Sequence, residues 1–292
     1  MKRILKILGV SMLSILVAAG LFYGYASSQV STALAKVHTP PALSISQDVA
    51  KADIALGKRI VTVRNGCTHC HGEDLSGTLI AEDPALGKVH GANITPYGVK
   101  DWTDEQLAMA IRHGVRPDGR SLVFMPSYEF QNLSRSDLAA TIAYLRSVPP
   151  VAKPKTPVEI GPLAKVLFTL DNMPVLVPAA KINHAAPFIA KPAETASSEF
   201  GGYLVNSACV GCHGNDLKGG PIPGAPPEWP PAPDLRLKGA SGWSQQAFAK
   251  VMQTGTSNIN GQALREPMSA MIGKYDDKEI AAVWLYLSSL QP

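Results

Sequence analysis

Two short stretches of this 292-residue sequence combine cysteine and histidine at a spacing that can attach a porphyrin. They contain all four cysteines of the chain, each pair followed by a histidine: Cys67, Cys70 and His71, and Cys209, Cys212 and His213. Cysteines at i and i+3 of a helical turn lie on one face, where both thiols can add to the vinyl groups of one haem. The histidine that follows can bind the iron as a proximal ligand. The sequence therefore predicts two covalent c-type haems with iron bound by His71 and His213.

Other uses of a C-x-x-C pair fit the sequence less well. A redox-active disulfide requires a βαβ context, which the surrounding pattern does not show. A shared zinc ion requires a closer spacing than the one that separates Cys70 from Cys209. Neither alternative explains a histidine at the same place in both motifs.

The N-terminal segment, within residues 1–30, predicts a membrane anchor or a signal. Lys2, Arg3 and Lys6 precede an apolar run from Ile7 to Ala26, which is long enough to span a bilayer. The flanking positive charge predicts a cytoplasmic N-terminus, with the haem motifs in the periplasm or another extracytoplasmic space. A cleaved signal peptide is the alternative, because Ala33 to Lys36 resembles a cleavage site. We favour an uncleaved single-pass anchor, because that site lies well past the apolar run.

The formal net charge of +4 resides outside the two haem-motif regions. Residues 1–45 hold four basic residues and no acid, and residues 151–194 hold five lysines against three acidic residues. Residues 46–150 and 195–292 each carry one more acidic than basic residue. Nucleic acid is therefore not an expected partner.

An internal repeat relates the two motif regions. A shift of 142 residues places the first motif on the second and aligns H-G-E-D-L-S-G with H-G-N-D-L-K-G. A shift of 141 then aligns Trp102 with Trp243 and Gly114 with Gly255. The repeat predicts a duplicated domain of about 100 residues, at 46–150 and at 195–292.

Each copy is expected to be helical. Apolar residues recur at helical spacing before each motif, and two further helices follow it. Thr103 and Ser244 are predicted N-caps of helices that stop at Gly114 and Gly255, and Ser134 is the predicted N-cap of the last helix of the first copy. The stretch between the first and second helices is rich in Gly, Pro and Asn and shows no strand pattern. The predicted fold class is all-α.

Each copy resembles a class I cytochrome c. The resemblance rests on a helix that leads into C-x-x-C-H, a methionine on a later loop, and a last helix with an aromatic–Leu pair, Tyr144–Leu145 or Tyr286–Leu287. It implies two tandem class I cytochrome c domains behind an N-terminal transmembrane helix. The whole chain is similar to membrane-anchored di-haem cytochromes c, including the cytochrome subunits of periplasmic alcohol and sugar dehydrogenases. Those relatives often carry three haems, whereas this chain has two motifs.

A methionine in each copy is expected to complete the iron coordination, as in electron-transfer cytochromes c. In the first copy, Met125 directly precedes Pro126, in a loop between the second and last helices. The second copy offers Met268 and Met271. The repeat favours Met268, because the 142-residue shift carries Met125 onto Pro267, one residue away.

The remaining histidines outside the motifs are expected to lie at the surface or to be hydrogen-bonded. His38 and His184 lie outside the repeats, and His90 and His113 have no counterpart in the second copy. A bis-histidine haem in the first copy is the alternative to ligation by Met125.

The Pro-rich segment 151–194 is a predicted linker with two apolar stretches, L-A-K-V-L-F-T-L and V-L-V-P. These stretches are too short to span a membrane. We expect them to pack against one of the domains, and a docking surface for a partner protein is the alternative.

The expected function is one-electron transfer at the outer face of the cytoplasmic membrane. The chain would link a dehydrogenase or quinol-oxidising complex to a soluble cytochrome or terminal oxidase, and no catalytic residue is predicted. A haem enzyme, such as a peroxidase or a sulfur-compound dehydrogenase, is the alternative, and it requires an open or unusual sixth iron position. Both haem attachments together use all four cysteines, so cysteine ligation of the iron is excluded.

Overall fold

The computed structural model describes residues 2–222, 229–236, 243–256, 263–264 and 268–290. The first helix, α1 (Lys2–Ala35), is the one helix in these ranges that is long and apolar enough to cross a membrane. Its residues 2–25 are all exposed, and its first buried side chain is Ala26. Length and composition therefore make α1 a candidate membrane span.

The two motif regions have matching orders of helices. The first contains α2 (Ser46–Ala50), α3 (Ile54–Arg59) with a π-helical continuation (Ile60–Arg64), α4 (Cys67–His71), α5 (Asp104–His113), α6 (Ser127–Phe130) and α7 (Arg135–Ser147). Between the regions lie α8 (Pro162–Thr169) and two 3-10 turns (Pro174–Leu176 and Pro178–Lys181). The second region contains α9 (Ser198–Ala208), α10 (Val210–His213), α11 (Gln245–Thr254), α12 (Met268–Met271) and α13 (Asp277–Ser289).

The same helix crossing occurs in both regions. Gly57 lies where α3 crosses α7, and Gly201 lies where α9 crosses α13. A Cβ at Gly57 would lie 1.9 Å from the carbonyl oxygen of Ala140, and a Cβ at Gly201 would lie 1.9 Å from that of Ala282. Only glycine lets the two backbones approach this closely. The sequence repeat is therefore also a repeat of packing.

The helix ends follow the predicted capping pattern. The Thr103 side chain accepts from the backbone N–H of Gln106 in a capping box, and Ser134 and Ser244 cap α7 and α11. Gly114 and Gly255 end α5 and α11 with φ of +64° and +66°, a conformation that favours glycine. These local predictions are confirmed.

A small antiparallel sheet corrects the prediction that no strand follows the first motif. Its strands are β1 (Leu79–Asp83), β2 (Gly87–His90) and β3 (Glu159–Ile160), in the order β1-β2-β3. The connection from β1 to β2 turns at Asp83, whose Oδ1 accepts from the N–H groups of Ala85 and Leu86 at 2.8 and 2.7 Å. All of β1 is exposed, so the strand lacks the alternation that marks a half-buried strand.

Buried side chains form three clusters. One lies in the first region between Ile45 and Leu145, and one in the second region between Phe200 and Leu287. The third joins the end of α1 to the linker through five buried residues: Val30, Ala164, Met173, Leu176 and Val177. Both apolar linker stretches therefore pack within the chain, as expected.

Candidate haem sites

Both C-x-x-C-H motifs form short helical turns that end at a glycine. Cys67–His71 is α4, which follows Gly66 with φ +55° and ends at Gly72 with φ +81°. In the second region Cys209 is the N-cap of α10, and Gly214 follows with φ +78°. On a helical turn of this kind, the two thiols and the imidazole emerge towards one side.

The two motif histidines are held in the same way. His71 Nδ1 lies 2.6 Å from the carbonyl oxygen of Ala92, and His213 Nδ1 lies 2.9 Å from that of Pro233. A carbonyl oxygen only accepts, so Nδ1 carries the proton and donates. Each ring therefore presents Nε2 with a free lone pair, the arrangement that metal-binding histidines adopt. Burial lowers the pKa of both rings and keeps them neutral, as iron ligation requires.

The motif cysteines do not have the properties of redox-active thiols. The four cysteines, all within the described residues, are free of disulfides. Burial raises the pKa of Cys67 and Cys209 to about 12, and burial and Glu129 raise that of Cys212 to about 11. Redox cysteines need a lowered pKa, because the thiolate is the nucleophile. The described residues also contain no cluster of three or more His, Cys, Asp or Glu side chains arranged to hold a metal ion. The raised pKa values argue against a redox-active disulfide, and two thiols and a neutral imidazole on one turn fit covalent haem attachment.

The candidate methionines lie beside the cores of their own regions. Met125 is partly buried against the cluster that also packs on Cys67, and Met268 is partly buried against the cluster that packs on Cys209. The loop of Met125 is tied to the linker by a hydrogen bond of 3.0 Å from the Phe124 N–H to the Val175 carbonyl. Met268 and Met271 begin and end α12. Pro267, which the repeat aligns with Met125, lies outside the described residues, so ligation by Met268 rather than Met271 stays a prediction.

Three of the remaining histidines form a cluster that the sequence did not reveal. His113 Nδ1 lies 3.2 Å from His184 Nδ1, and the rings of His38 and His184 have centroids 5.6 Å apart. His38 follows α1, His113 ends α5 and His184 lies in the linker, so no spacing rule relates them. Burial, with help from Arg112 and His184, lowers the pKa of His113 to about 4. The fourth histidine, His90, lies on β2.

One carboxyl group lies close to both motifs. Glu129 belongs to α6, just after the Met125 loop, and a Cβ at Gly211 would lie 1.8 Å from its Oε1. Gly211 lies between the two cysteines of the second motif, and its lack of a side chain makes room for the carboxyl. Burial raises the pKa of Glu129 to about 8, and Glu129 adds to the raised pKa of Cys70 and Cys212. The structure therefore brings both attachment motifs close to this group.

Hydrogen bonds join the first region to the chain just before the second motif. Asn65 Nδ2 donates to the carbonyl of Ser207 at 2.7 Å, and Asn132 Nδ2 donates to that of Asn206 at 2.8 Å. Tyr203 donates to Asp137 at 2.6 Å. These contacts hold the two regions in one relative arrangement.

Comparison with known proteins places the motifs in a family context. A family model for cytochrome c matches the chain over residues 54–149 and 199–291, and these ranges include both motifs and all three candidate methionines. The cytochrome c subunit of a quinone-dependent alcohol dehydrogenase from Gluconacetobacter polyoxogenes is 28% identical over 86% of this chain and 58% of its own length. The cytochrome subunit of a fructose dehydrogenase from Gluconobacter japonicus is 27% identical over 77% of this chain and 50% of its own length.

A longer relative matches over a similar part of the chain. One of the subunits of a nicotinate dehydrogenase from Pseudomonas putida is 27% identical over 80% of this chain, but the match covers 21% of that relative's length. The chain therefore spans less than two thirds of each of these three relatives.

Proposed function

The chain belongs to the cytochrome c family, and on this basis we propose that it transfers single electrons through two covalent haems c, one in each of two tandem domains. The domains comprise residues 46–150 and 195–292, and residues 151–194 connect them. The proposal rests on one observation: the histidine at the end of each C-x-x-C turn donates a hydrogen bond from Nδ1 to a backbone carbonyl. Both rings then offer Nε2 to an iron ion.

Each proposed site would draw all of the residues that hold its haem from one domain. Cys67 and Cys70 would attach the first haem, and His71 and Met125 would bind its iron. Cys209, Cys212, His213 and Met268 would do the same in the second domain. When bound, a haem of this type supplies an iron that accepts and returns one electron, and a methionine ligand raises its reduction potential.

The protein's contribution to electron transfer is to fix geometry and exclude water. The buried clusters that pack on Cys67 and Cys209 would limit solvent access to the haems, which lowers the local dielectric and keeps the reorganisation energy of electron transfer small. Contacts between the regions, such as that of Asn65 with Ser207, hold the two motifs at a fixed separation. A fixed separation would keep the electron-transfer distance between the two haems constant.

We place the haem domains at the outer face of the cytoplasmic membrane, with α1 as a single-pass anchor. The positive charges at Lys2, Arg3 and Lys6 support a cytoplasmic N-terminus. The similarity to the alcohol and fructose dehydrogenase subunits supports a dehydrogenase as electron donor, and a quinol-oxidising complex is the other candidate. The proposed acceptor is a soluble cytochrome or a terminal oxidase. The chain would then be an electron-transfer subunit rather than a catalytic one.

A reductive titration of the purified full-length protein tests this function. Under anaerobic conditions, each chain should take up two electrons from a one-electron reductant. The reduced protein should then reduce a soluble cytochrome c. Carbon monoxide should leave the reduced spectrum unchanged, because both irons are expected to have six protein and porphyrin ligands. Binding of carbon monoxide by one haem would favour a haem enzyme with an open iron position instead.

A further inference from the structure

The helix α8 of the linker is apolar on nearly every side. Its sequence, P-L-A-K-V-L-F-T, contains one charged residue, Lys165. One face is covered, because Ala164 is buried and Leu167 and Phe168 pack in the cluster that includes Val30 of α1. The adjacent face carries Leu163, 40% exposed, and Leu170, just after the helix, 55% exposed, with Val166 between them. A helix that is apolar all round is normally covered on all sides.

The position of α8 along α1 shows what covers this second face. Lys165 Nζ lies 3.5 Å from the hydroxyl oxygen of Tyr23 and 5.6 Å from the centre of its ring. The rise from Ile7 to Ala26 along a helix is about 29 Å, close to the ~30 Å thickness of a bilayer's hydrocarbon core. With Lys2, Arg3 and Lys6 at the inner surface, Tyr23 therefore lies within one helical turn of the outer boundary of the hydrocarbon.

The pattern of burial on α1 marks the same boundary. Residues 2–25 are exposed, and burial by the rest of the protein begins at Ala26. Tyr23 and Tyr25 are the aromatic residues expected at the headgroup level, and Ser27, Ser28 and Gln29 follow in the aqueous zone. The ammonium of Lys165 lies beside Tyr23, where a lysine places its charge among headgroups while its stem stays in apolar surroundings.

The geometry points to α8 as a second membrane contact, an interfacial helix whose Leu163–Leu170 face lies in the outer leaflet beside α1. The partner is lipid, with anionic headgroups favoured by Lys165. The proposal rests on the proposed role of α1 as an anchor. It adds a functional consequence, since two contact points orient the first haem domain relative to the membrane, whereas a single helix leaves it free to turn.

Fluorescent labelling of the full-length haem protein in liposomes tests the inference. The four native cysteines are expected to be consumed by thioether bonds, so an introduced cysteine is the single reactive thiol. Leu163→Cys and Leu170→Cys variants would each carry an environment-sensitive nitrobenzoxadiazole label. Leu285→Cys in α13 is the matched control, because Leu285 is 42% exposed in the second region. Leu16→Cys reports on the anchor itself. The liposomes would contain phosphatidylcholine and phosphatidylglycerol with nitroxide-labelled lipids of known depth.

The expected result is a blue-shifted label at positions 163 and 170 that is quenched most by shallow nitroxides. The Leu285→Cys label should emit as in water and resist quenching, and the Leu16→Cys label should be quenched most by deep nitroxides. Labels at 163 and 170 that behave like the Leu285→Cys label, with the Leu16→Cys label still deep, would overturn the role of α8 and leave the anchor intact. A Leu16→Cys label outside the bilayer would overturn the anchor and this proposal together. Iodide added to the aqueous phase quenches labels that face water. Labels at 163 and 170 that are shielded from both iodide and the nitroxide lipids would show that protein covers this face, which would also overturn the membrane contact.

Discussion

The guanidinium of Arg64 donates from Nε to Oε1 of Glu279 across 2.7 Å, and the two side chains are only 2% and 0% exposed. Arg64 lies three residues before Cys67, whereas Glu279 lies in the last helix of the second region. Arg59 also donates to Glu279, and Glu194 accepts two hydrogen bonds from Arg64. Burial opposes ionisation of Glu279, but the hydrogen bonds from both arginines outweigh it and hold the pKa of this carboxyl below its usual value.

Replacing Glu279 by glutamine should destabilise the contact between the two regions. Glutamine keeps the size of the side chain and can still accept from the backbone N–H of Asp276, as the glutamate does at 3.1 Å. It removes the negative charge that compensates two arginines. Loss of one partner of a buried ion pair lowers the free energy of unfolding by about 3 kcal/mol. Denaturant unfolding followed by far-ultraviolet circular dichroism measures this loss.

Asp118→Asn is the matched control for that variant. Asp118 also pairs with two arginines, but it is 34% exposed and its partners are 46% and 50% exposed. Exposed pairs contribute about 0–1 kcal/mol. Equal unfolding midpoints for the two variants would contradict a structural role for the Arg64–Glu279 pair.

Alanine at Gly57 or Gly201 should disturb one region at a time. In each case the new methyl group would lie 1.9 Å from a carbonyl oxygen of the crossing helix, so the helices must separate. Overpacking of this kind costs about 1–3 kcal/mol. Gly57→Ala should perturb the spectrum and potential of the first haem, and Gly201→Ala those of the second.

Gly202→Ala provides the control for the crossing. Its methyl group would meet the ring of Tyr286 at 3.0 Å, and a side chain yields more readily than a backbone. We therefore expect Gly202→Ala to cost less than Gly201→Ala. If either crossing variant shifted both haems equally, the two regions would not be independent packing units.

Acid should lower the folding stability of the protein through protonation of His113. Burial lowers the pKa of this ring to about 4, whereas it is about 6.5 in an unfolded chain. Above pH 6.5 the ring is neutral in both states, and as the pH falls towards 4 the unfolded state binds the proton first. Folding stability is therefore lost across this window, by about 3 kcal/mol for this group.

The His113→Gln variant isolates that contribution. Its denaturant midpoint should fall less between pH 7 and pH 4.5 than the midpoint of the unsubstituted protein. His90→Gln, outside the cluster of His38, His113 and His184, should retain the original pH dependence. If the denaturant midpoint of His113→Gln fell with pH as steeply as that of the unsubstituted protein, the histidine cluster would not be the source of the acid sensitivity.

The choice between Met268 and Met271 can be made spectroscopically. Oxidised haem with histidine and methionine ligands shows a weak near-infrared charge-transfer band, expected here at the strength of two haems. Met268→Ala should remove half of the band and lower the potential of the second haem, because the thioether favours ferrous iron. Met125→Ala should remove the other half.

Met271→Ala serves as the internal control, since it alters the other end of the same short helix. It should leave the band at full strength. Loss of the band in Met271→Ala but not in Met268→Ala would show that the repeat alignment is wrong by one helical turn.

Features that depend on neighbouring residues were predictable from the sequence. The capping of α5 by Thr103 and its end at Gly114 follow from hydrogen bonds within one turn, and such patterns survive in any tertiary context. The C-x-x-C-H turns are equally local. The hairpin of β1 and β2 was missed because an exposed strand has no apolar alternation to reveal it.

Features that depend on distant residues were not predictable. Arg64 and Glu279 are 215 positions apart, and nothing in either local pattern distinguishes them from surface charges. The approach of Glu129 to Gly211 and the meeting of His113 with His184 are likewise products of packing. The apolar linker stretch was recognised as a packing segment, but its contact with Tyr23 on α1 required the structure.

The intact mass of the denatured full-length protein tests the central proposal most directly. Covalent attachment through both motifs predicts a polypeptide mass increased by two haem masses, which persists after acid and organic solvent. Cys209→Ala should reduce or abolish attachment in the second domain alone, because that domain keeps one thiol, and leave the haem on Cys67 and Cys70 in place. A mass increased by one haem, or by none, in protein matured with a functioning haem-attachment system would contradict a two-haem electron carrier.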